Sequence, residues 1–339
     1  MADIARAIGV SQSCVSLALN EVPGSRLPEA TRERVREAAR EMGYELPKRR
    51  RGRASTGLQA PGGVIAYVVD EVSVSPHAVL HIDGARDAAW ANGHVLQSFS
   101  TRSHAALEEA TVAAILRDKS IVGIIYAMSF TRKVELPALL RDAPVVLVNC
   151  YTAERLHPML LPGEVGGGFA MTQHLLAHGH RRIAMIGGEP WMDASRDRLK
   201  GYREALATAD IGFDAALVRH GDWSTDSGYG LACELLARDP RPTAFFCAND
   251  MMALGAINAI TDQGLSVPED ISVVGYNDID LARHMRPPLT SCRVPSYDLG
   301  QRAVEMLLDR ALTGKPLRPL TIKLECQLVP RSSVAPARG

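Results

Sequence analysis

The chain changes its hydrophobic rhythm once. Over residues 4–42 apolar side chains recur at helical spacing: Ile4 and Ile8 before a break at Gly9, Val15 and Leu19 after it, then Val35, Ala38, Ala39 and Met42. This pattern predicts three short helices, the third from about Glu29 to Met42 with Gly43 as its stop. From Val64 onward the rhythm becomes continuous short apolar runs, at 64–69, 121–126, 144–149, 182–187, 243–249 and 271–277. Uninterrupted runs of that length suit parallel strands buried on both faces. Amphipathic stretches at 79–92, 166–178, 196–208, 225–238 and 250–263 lie between them. Such alternation predicts a doubly wound α/β body behind a small helical head.

The head is too small to bury much by itself, so its shape must serve something else. "IARAIGVSQSCVSLALN" has the spacing of a helix-turn-helix: Ala5 is small where the helices cross, Gly9 tolerates the turn, and Val15 points back to lock the pair. Ser11 is placed to cap the second helix. With that helix in a DNA major groove, Gln12 and Ser13 face base edges and Leu17 follows one turn on. Ser11, Ser16, Asn20 and Thr31 suit phosphate contacts.

Charge supports a polyanionic partner. The chain is neutral overall, but residues 1–53 hold eleven Arg or Lys against seven Asp or Glu, a net of +4. The excess peaks at "KRRRGR", where Arg49, Arg50, Arg51 and Arg53 form a basic arm able to read minor-groove potential. Six scattered cysteines without a CxxC pair read as free thiols of a reducing compartment. With no signal peptide and no apolar run long enough to span a bilayer, a cytoplasmic protein without membrane partners is expected.

Ligands of doubly wound sheets bind at the carboxyl ends of the strands. Those positions carry Asp70, Ser75 and His77 in the following loop, Asn149, Arg198, Trp223, Asn249 and Asn277. Amides suit the paired donors and acceptors of sugar hydroxyls, and an indole face suits a pyranose ring. Arg198 could fork two hydroxyls or a carboxylate. "PGEVGGG" at 162–168 lacks the spacing of a phosphate loop and reads as a helix entry. His174, His178 and His180 read as cations at a helix end rather than metal ligands. No nucleophile elbow or Cys/His catalytic set is recognisable, so neither catalysis nor a cofactor is expected.

"DIARAIGVSQSCVSLALN…EATRERVREAAREMGY", "GHRRIAMIGG", "SRDRLKGYREAL" and "CANDMMALGAINAITDQGLSVPEDISVVGYND" together resemble the lac repressor family (LacI/GalR) of bacterial transcription regulators over nearly the whole chain. The resemblance implies an N-terminal helix-turn-helix domain (1–46), a hinge or linker (47–62) and a two-lobed domain like periplasmic binding proteins (63–331). Lobe one is then 63–161 with 293–322, lobe two 162–292 with 323–331, and 332–339 a flexible tail. It implies a homodimer on double-stranded operator DNA. It also implies a mono- or disaccharide effector in the cleft, contacted by Asp70, the 75–77 loop, Asn149, Arg198, Trp223, Asn249 and Asn277. At 149 and 277 the family often has Asp, so the cleft here loses two possible negative charges. The usual hinge leucine is displaced: Arg53 or Leu58 occupies its place, depending on the direction of counting. The first helix also lacks its usual capping residue, which leaves an upstream start or a frayed first turn. A dimer rather than a tetramer is expected, since no apolar heptad tail follows the last strand. The competing reading is a sugar-binding receptor with no DNA role.

Overall fold

The computed structural model describes residues 7–10, 15, 18, 28–42, 62–73 and 76–338, without the side chains of residues 41, 76 and 77. The chain forms two compact units, residues 1–60 and 61–339.

In the first unit the third helix, α1, spans Glu29–Glu41. Val15, Ala18, Val35, Ala38 and Ala39 close into a small core, with Ile8 and Val10 packed at its side. Gly9 has the expected positive φ of 69°, and Arg34 Nη2 donates to the Ile8 carbonyl (3.1 Å). Met42 does not join the buried face: it follows the last helical turn and is 48% exposed. Ala5, Leu19 and Gly43 lie outside the described residues.

The second unit holds two parallel sheets. The first lobe contains β1 (Val64–Val69), α2 (Pro76–Ala91), β2 (Val95–Ser100), α3 (Ala105–Arg117), β3 (Ile121–Lys133), β4 (Val145–Tyr151) and β5 (Met159–Pro162). The second contains α4 (Glu164–Ala177), β6 (Ile183–Gly187), α5 (Asp193–Thr208), β7 (Val218–His220), α6 (Thr225–Leu236), β8 (Ala244–Cys247), α7 (Asp250–Asp262) and β9 (Ser272–Val274). The chain then returns through β10 (Ser291–Arg293) to α8 (Ser296–Thr313), which packs on the first lobe, and to β11 (Thr321–Leu324). β12 (Gln327–Val329) pairs antiparallel with β10 on the way back. Strand orders are β11-β5-β4-β3-β1-β2 and β7-β6-β8-β9; because β11 pairs with β5 through Leu324, Lys323 sits in the first-lobe sheet and not in lobe two as expected.

Each sheet is apolar on both faces. Ile65, Tyr67 and Val69 enter one core while Ala66 and Val68 enter the opposite one. Ile183 and Met185 against Ala184 and Ile186 repeat this in the second lobe. That is why the strands read as unbroken apolar runs. The edge strand β2, "VLQSFS", has no buried residue and carries no such run. It escapes a reading based on runs, as do α3 and α8.

Three helix pairs close the layers, each through one glycine per helix. A Cβ at Gly84 would lie 2.0 Å from the Tyr297 carbonyl oxygen and one at Gly300 2.0 Å from that of His81. Gly168 and Gly201, and Gly228 and Gly255, do the same for α4 against α5 and α6 against α7.

The tail expected to be flexible is docked over its described part. Ser333 is fully buried; its Oγ donates to the Val273 carbonyl (2.6 Å) and accepts from the Thr290 N–H (2.8 Å). Ala337 N–H donates to the His178 carbonyl (2.8 Å). Residues 332–338 thus complete the edge beyond β9, where β9 backbone groups would otherwise lack partners.

Candidate functional site

An irregularity in β3 builds the first-lobe wall of the cleft. The strand pairs with β4 up to Ala127, loses register, and resumes at Arg132. The excursion carries Ser129, Phe130 and Thr131 to a cavity of about 530 Å³. Asp70, following β1, fastens it from behind. Its Oδ1 accepts from the Ser129 N–H (2.8 Å) and hydroxyl (2.5 Å), and its Oδ2 lies 3.1 Å from Arg132. The Asp70 carboxylate, expected at the ligand, is therefore taken up inside the wall. Asn149 stands in the cavity with φ 58°. Its Nδ2 donates to the Met128 carbonyl (3.0 Å) and its Oδ1 accepts from the Thr131 hydroxyl.

The second lobe contributes Arg198, Trp223, Asn249 and Asn277 to the same cavity. Asn249 caps α7: its Oδ1 accepts from the Met252 N–H (2.7 Å) while its Nδ2 donates to the Trp223 carbonyl (2.8 Å). That second bond helps hold Trp223 at φ 71°, a conformation a bulky residue rarely adopts. The indole lies on Gly188, where a Cβ would meet the ring at 2.0 Å, and its Nε1 donates to Met192 Sδ (3.1 Å). Asn277 has φ 102°. Its Oδ1 is buried with no hydrogen-bond partner among the described residues, and such an acceptor gains most from a donor brought by a ligand.

Arg198 departs from its expected role. Its fork closes on Glu164, with Nε to Oε2 and Nη2 to Oε1 both 2.8 Å, and Nη1 donates to the Ala248 carbonyl. The guanidinium stacks 3.7 Å from the Tyr276 ring centroid. Burial disfavours its charge, but the Glu164 carboxylate overrides burial and holds its pKa above the ordinary arginine value. Sequence reasoning missed Glu164. Its signal was the triple glycine after it: a Cβ at Gly167 would strike the Tyr276 hydroxyl (1.9 Å) and one at Gly168 the Arg198 carbonyl (2.4 Å).

Around this neutralised pair the fixed charge is acidic. The Ser224 and Ser227 hydroxyls hold the exposed Asp222 carboxyl down to about 2, whereas burial pushes Asp250 up to about 7. No lysine, and no arginine besides Arg198, lines the cavity among the described residues. The rest of the lining is amides, hydroxyls, the His81 imidazole, apolar side chains such as Met192, Met251 and Ile279, and two aromatic faces, Phe130 and Trp223.

His180 is no helix-end cation. Its Nδ1 bonds Thr243 Oγ1 (3.0 Å) and its Nε2 Ser272 Oγ (2.9 Å) and the Ala335 carbonyl (3.0 Å). Burial holds His180 and His174 below the usual imidazole value. No cluster of three potential metal ligands occurs among the described residues. The described cysteines, 150, 233, 247, 292 and 326, are free. No described helix is long and apolar enough to cross a membrane.

Of the expected DNA contacts, Thr31 is half-buried in the first turn of α1. Ser11, Gln12, Ser13, Ser16, Leu17, Asn20, Arg49, Arg50, Arg51 and Arg53 lie outside the described residues, as do Leu58, Ser75 and the side chain of His77.

Comparison with known proteins bears on both units. Residues 1–46 match the model for bacterial regulatory proteins of the lacI family, and residues 172–334 match that for periplasmic binding protein-like domains. The HTH-type transcriptional regulator CelR of Thermobifida fusca is 34% identical, covering 97% of this chain and 96% of its own. The HTH-type transcriptional repressor CytR of Escherichia coli is 32% identical over 98% and 95%. A solved complex of the transcriptional regulator CelR with cellobiose matches with a TM-score of 0.68 and 32% identity, over 97% of this chain and 98% of that one. A helix-turn-helix head, a two-lobed body and full-length kinship with such regulators agree: the chain belongs to the lacI family of bacterial regulatory proteins and is a DNA-binding transcription regulator.

Proposed function

We propose that the protein is a cytoplasmic, homodimeric repressor without catalytic activity, whose operator affinity is set by a neutral sugar-like effector held between its lobes. The observation that carries the effector is the wall chemistry: Asn149, Trp223 and Asn277, from strand ends of both lobes, face one cavity with positive φ. Backbone held in sparsely populated regions clusters at ligand sites. The absence of an uncompensated Lys or Arg among the described lining residues favours a neutral ligand over a phosphorylated one. A sugar bound in a solved CelR complex supports the class.

On the DNA side, Gln12, Ser13 and Leu17 meet base edges, Ser11, Ser16, Asn20 and Thr31 meet phosphates, and the arginines at 49, 50, 51 and 53 follow the minor groove. Two heads on one dimer read two half-sites, so dimer symmetry sets operator symmetry. An effector that binds the two lobe arrangements unequally shifts operator affinity by about 1–3 kcal/mol. The test is fluorescence anisotropy on DNA upstream of its own and neighbouring genes, with competitor DNA and a saccharide panel. Specific binding altered by one sugar supports the reading. Sugar binding with no specific DNA binding refutes the repressor and favours a receptor.

A further inference from the structure

The cleft continues past Thr131. A second cavity of about 500 Å³ adjoins the first, and the two share Thr131, Pro162, Glu164 and Ala194. Its walls also come from both lobes, with Tyr151 and Lys323 on one side and Asp193 and Asp197 on the other. Its chemistry differs. The first compartment presents aromatic faces and amides, whereas the second presents a phenol, two ion pairs and the exposed Arg155. The Tyr151 hydroxyl donates to Asp193 Oδ2 (2.9 Å), Lys323 Nζ lies 3.8 Å from Asp197, and Arg196 pairs with Asp193. Two of these contacts bridge the lobes. The Lys323 and Asp197 side chains are 53% and 37% exposed, so ligand hydroxyls can replace their pairing without stranding a buried charge.

We propose that the second compartment is a binding subsite, and that the effector is a saccharide of at least two units. One ring lies against Trp223 and Phe130, and the next is held among Tyr151, Asp193, Asp197 and Lys323. This rests on the sugar-effector reading above and sharpens it. Each cavity alone falls within the roughly 300–1,000 Å³ of small-molecule sites, so a single ring leaves one of two contiguous compartments without a ligand. Arg196 and Lys323 are matched by Asp193 and Asp197, whereas the exposed Arg155 lines the compartment without a carboxylate partner among the described residues. Donors and acceptors alternate there, and a sugar hydroxyl is both. Occupancy also exchanges the chain's own bridges between lobes for bridges through the ligand. That exchange supplies the differential contact any switching ligand needs.

The test is calorimetry on the full chain with glucose, galactose, xylose and fructose, then cellobiose, maltose, lactose, xylobiose and sucrose, then the 6-phosphates of the hexose disaccharides. At least one disaccharide should bind about tenfold or more tighter than either of its component sugars. Thr321→Trp, which fills the second compartment, should abolish that margin, leaving single-sugar affinity within about twofold. Lys323→Ala, a smaller change at the same wall, should reduce the margin in the same selective way. A single sugar binding as tightly as every disaccharide that contains it overturns the subsite. So do variants that weaken single sugars and disaccharides alike. Preference for a 6-phosphate over its neutral parent overturns the neutral effector proposed above and leaves the two-unit subsite to the comparison of single sugars with disaccharides. Binding of no saccharide, with operator binding intact, overturns the sugar reading itself and the subsite with it.

Discussion

The Arg198 guanidinium and the Glu164 carboxylate meet through two hydrogen bonds of 2.8 Å, with each side chain only 5% exposed. The pair joins the first turn of α4 to α5 at the floor of the cleft. Its removal should therefore act on folding before it acts on ligand. Arg198→Met removes the guanidinium partner of the buried Glu164 carboxylate and should cost about 3–5 kcal/mol, read as a lowered urea midpoint. Glu164→Gln added to Arg198→Met should recover a large part of the loss, because no buried charge remains. Equal midpoints for the wild type and Arg198→Met would refute the structural role.

Trp223 should act on ligand and leave the fold intact. Trp223→Ala should abolish the effector response while operator affinity stays within about twofold, measured by anisotropy. Gly188→Ala should reproduce that loss without touching ligand, because its methyl would occupy the place of the indole ring. A normal response in Gly188→Ala would show that the indole's position is not needed.

Asp250 should give stability a distinctive pH slope. Burial raises its folded carboxyl to about 7 from an ordinary value of 3.8. Between those values the folded state holds the proton more tightly than the unfolded chain, so this group's contribution falls as pH rises from about 4 to 7. Below that window both states are protonated and the slope vanishes. Asp250→Asn should remove this component, so the wild-type-minus-variant difference in unfolding free energy should drop between pH 4.5 and 7.5. A difference independent of pH would contradict the shifted carboxyl.

The helix pairs set a packing limit. A methyl at Gly300 would lie 2.0 Å from the His81 carbonyl oxygen, so α2 and α8 must separate to accept it. Gly300→Ala should destabilise by about 1–3 kcal/mol, seen as a lower melting temperature of the second unit. An unchanged melting temperature would mean the helices yield freely.

Ser333→Ala tests the docked C-terminal segment. It strands the buried Thr290 N–H and Val273 carbonyl and should cost about 1–3 kcal/mol. Faster proteolysis after residue 330 should accompany it. A segment that was free to move would show neither effect.

Periodicity alone determined much of this protein. Continuous apolar runs located strands β1, β4, β6 and β8 to within a few residues, because a strand buried on both faces cannot carry a polar side chain without a partner. Ala-x3-Gly-x5-Val placed the turn at Gly9, whose φ of 69° only glycine adopts cheaply. Strand ends named Asn149, Trp223 and Asn277, since a parallel sheet opens at its carboxyl edge. Tertiary structure decided what those groups are free to do. Asp70 is consumed by Ser129 and Arg132, Arg198 by Glu164, and Asn249 by Met252 and Trp223. In each case the partner is remote in sequence or set by local geometry, and hydrogen-bond supply is settled only once the chain closes. The same holds for Ser333, polar and near the end, whose burial depends on a gap beside β9 that no local pattern announces.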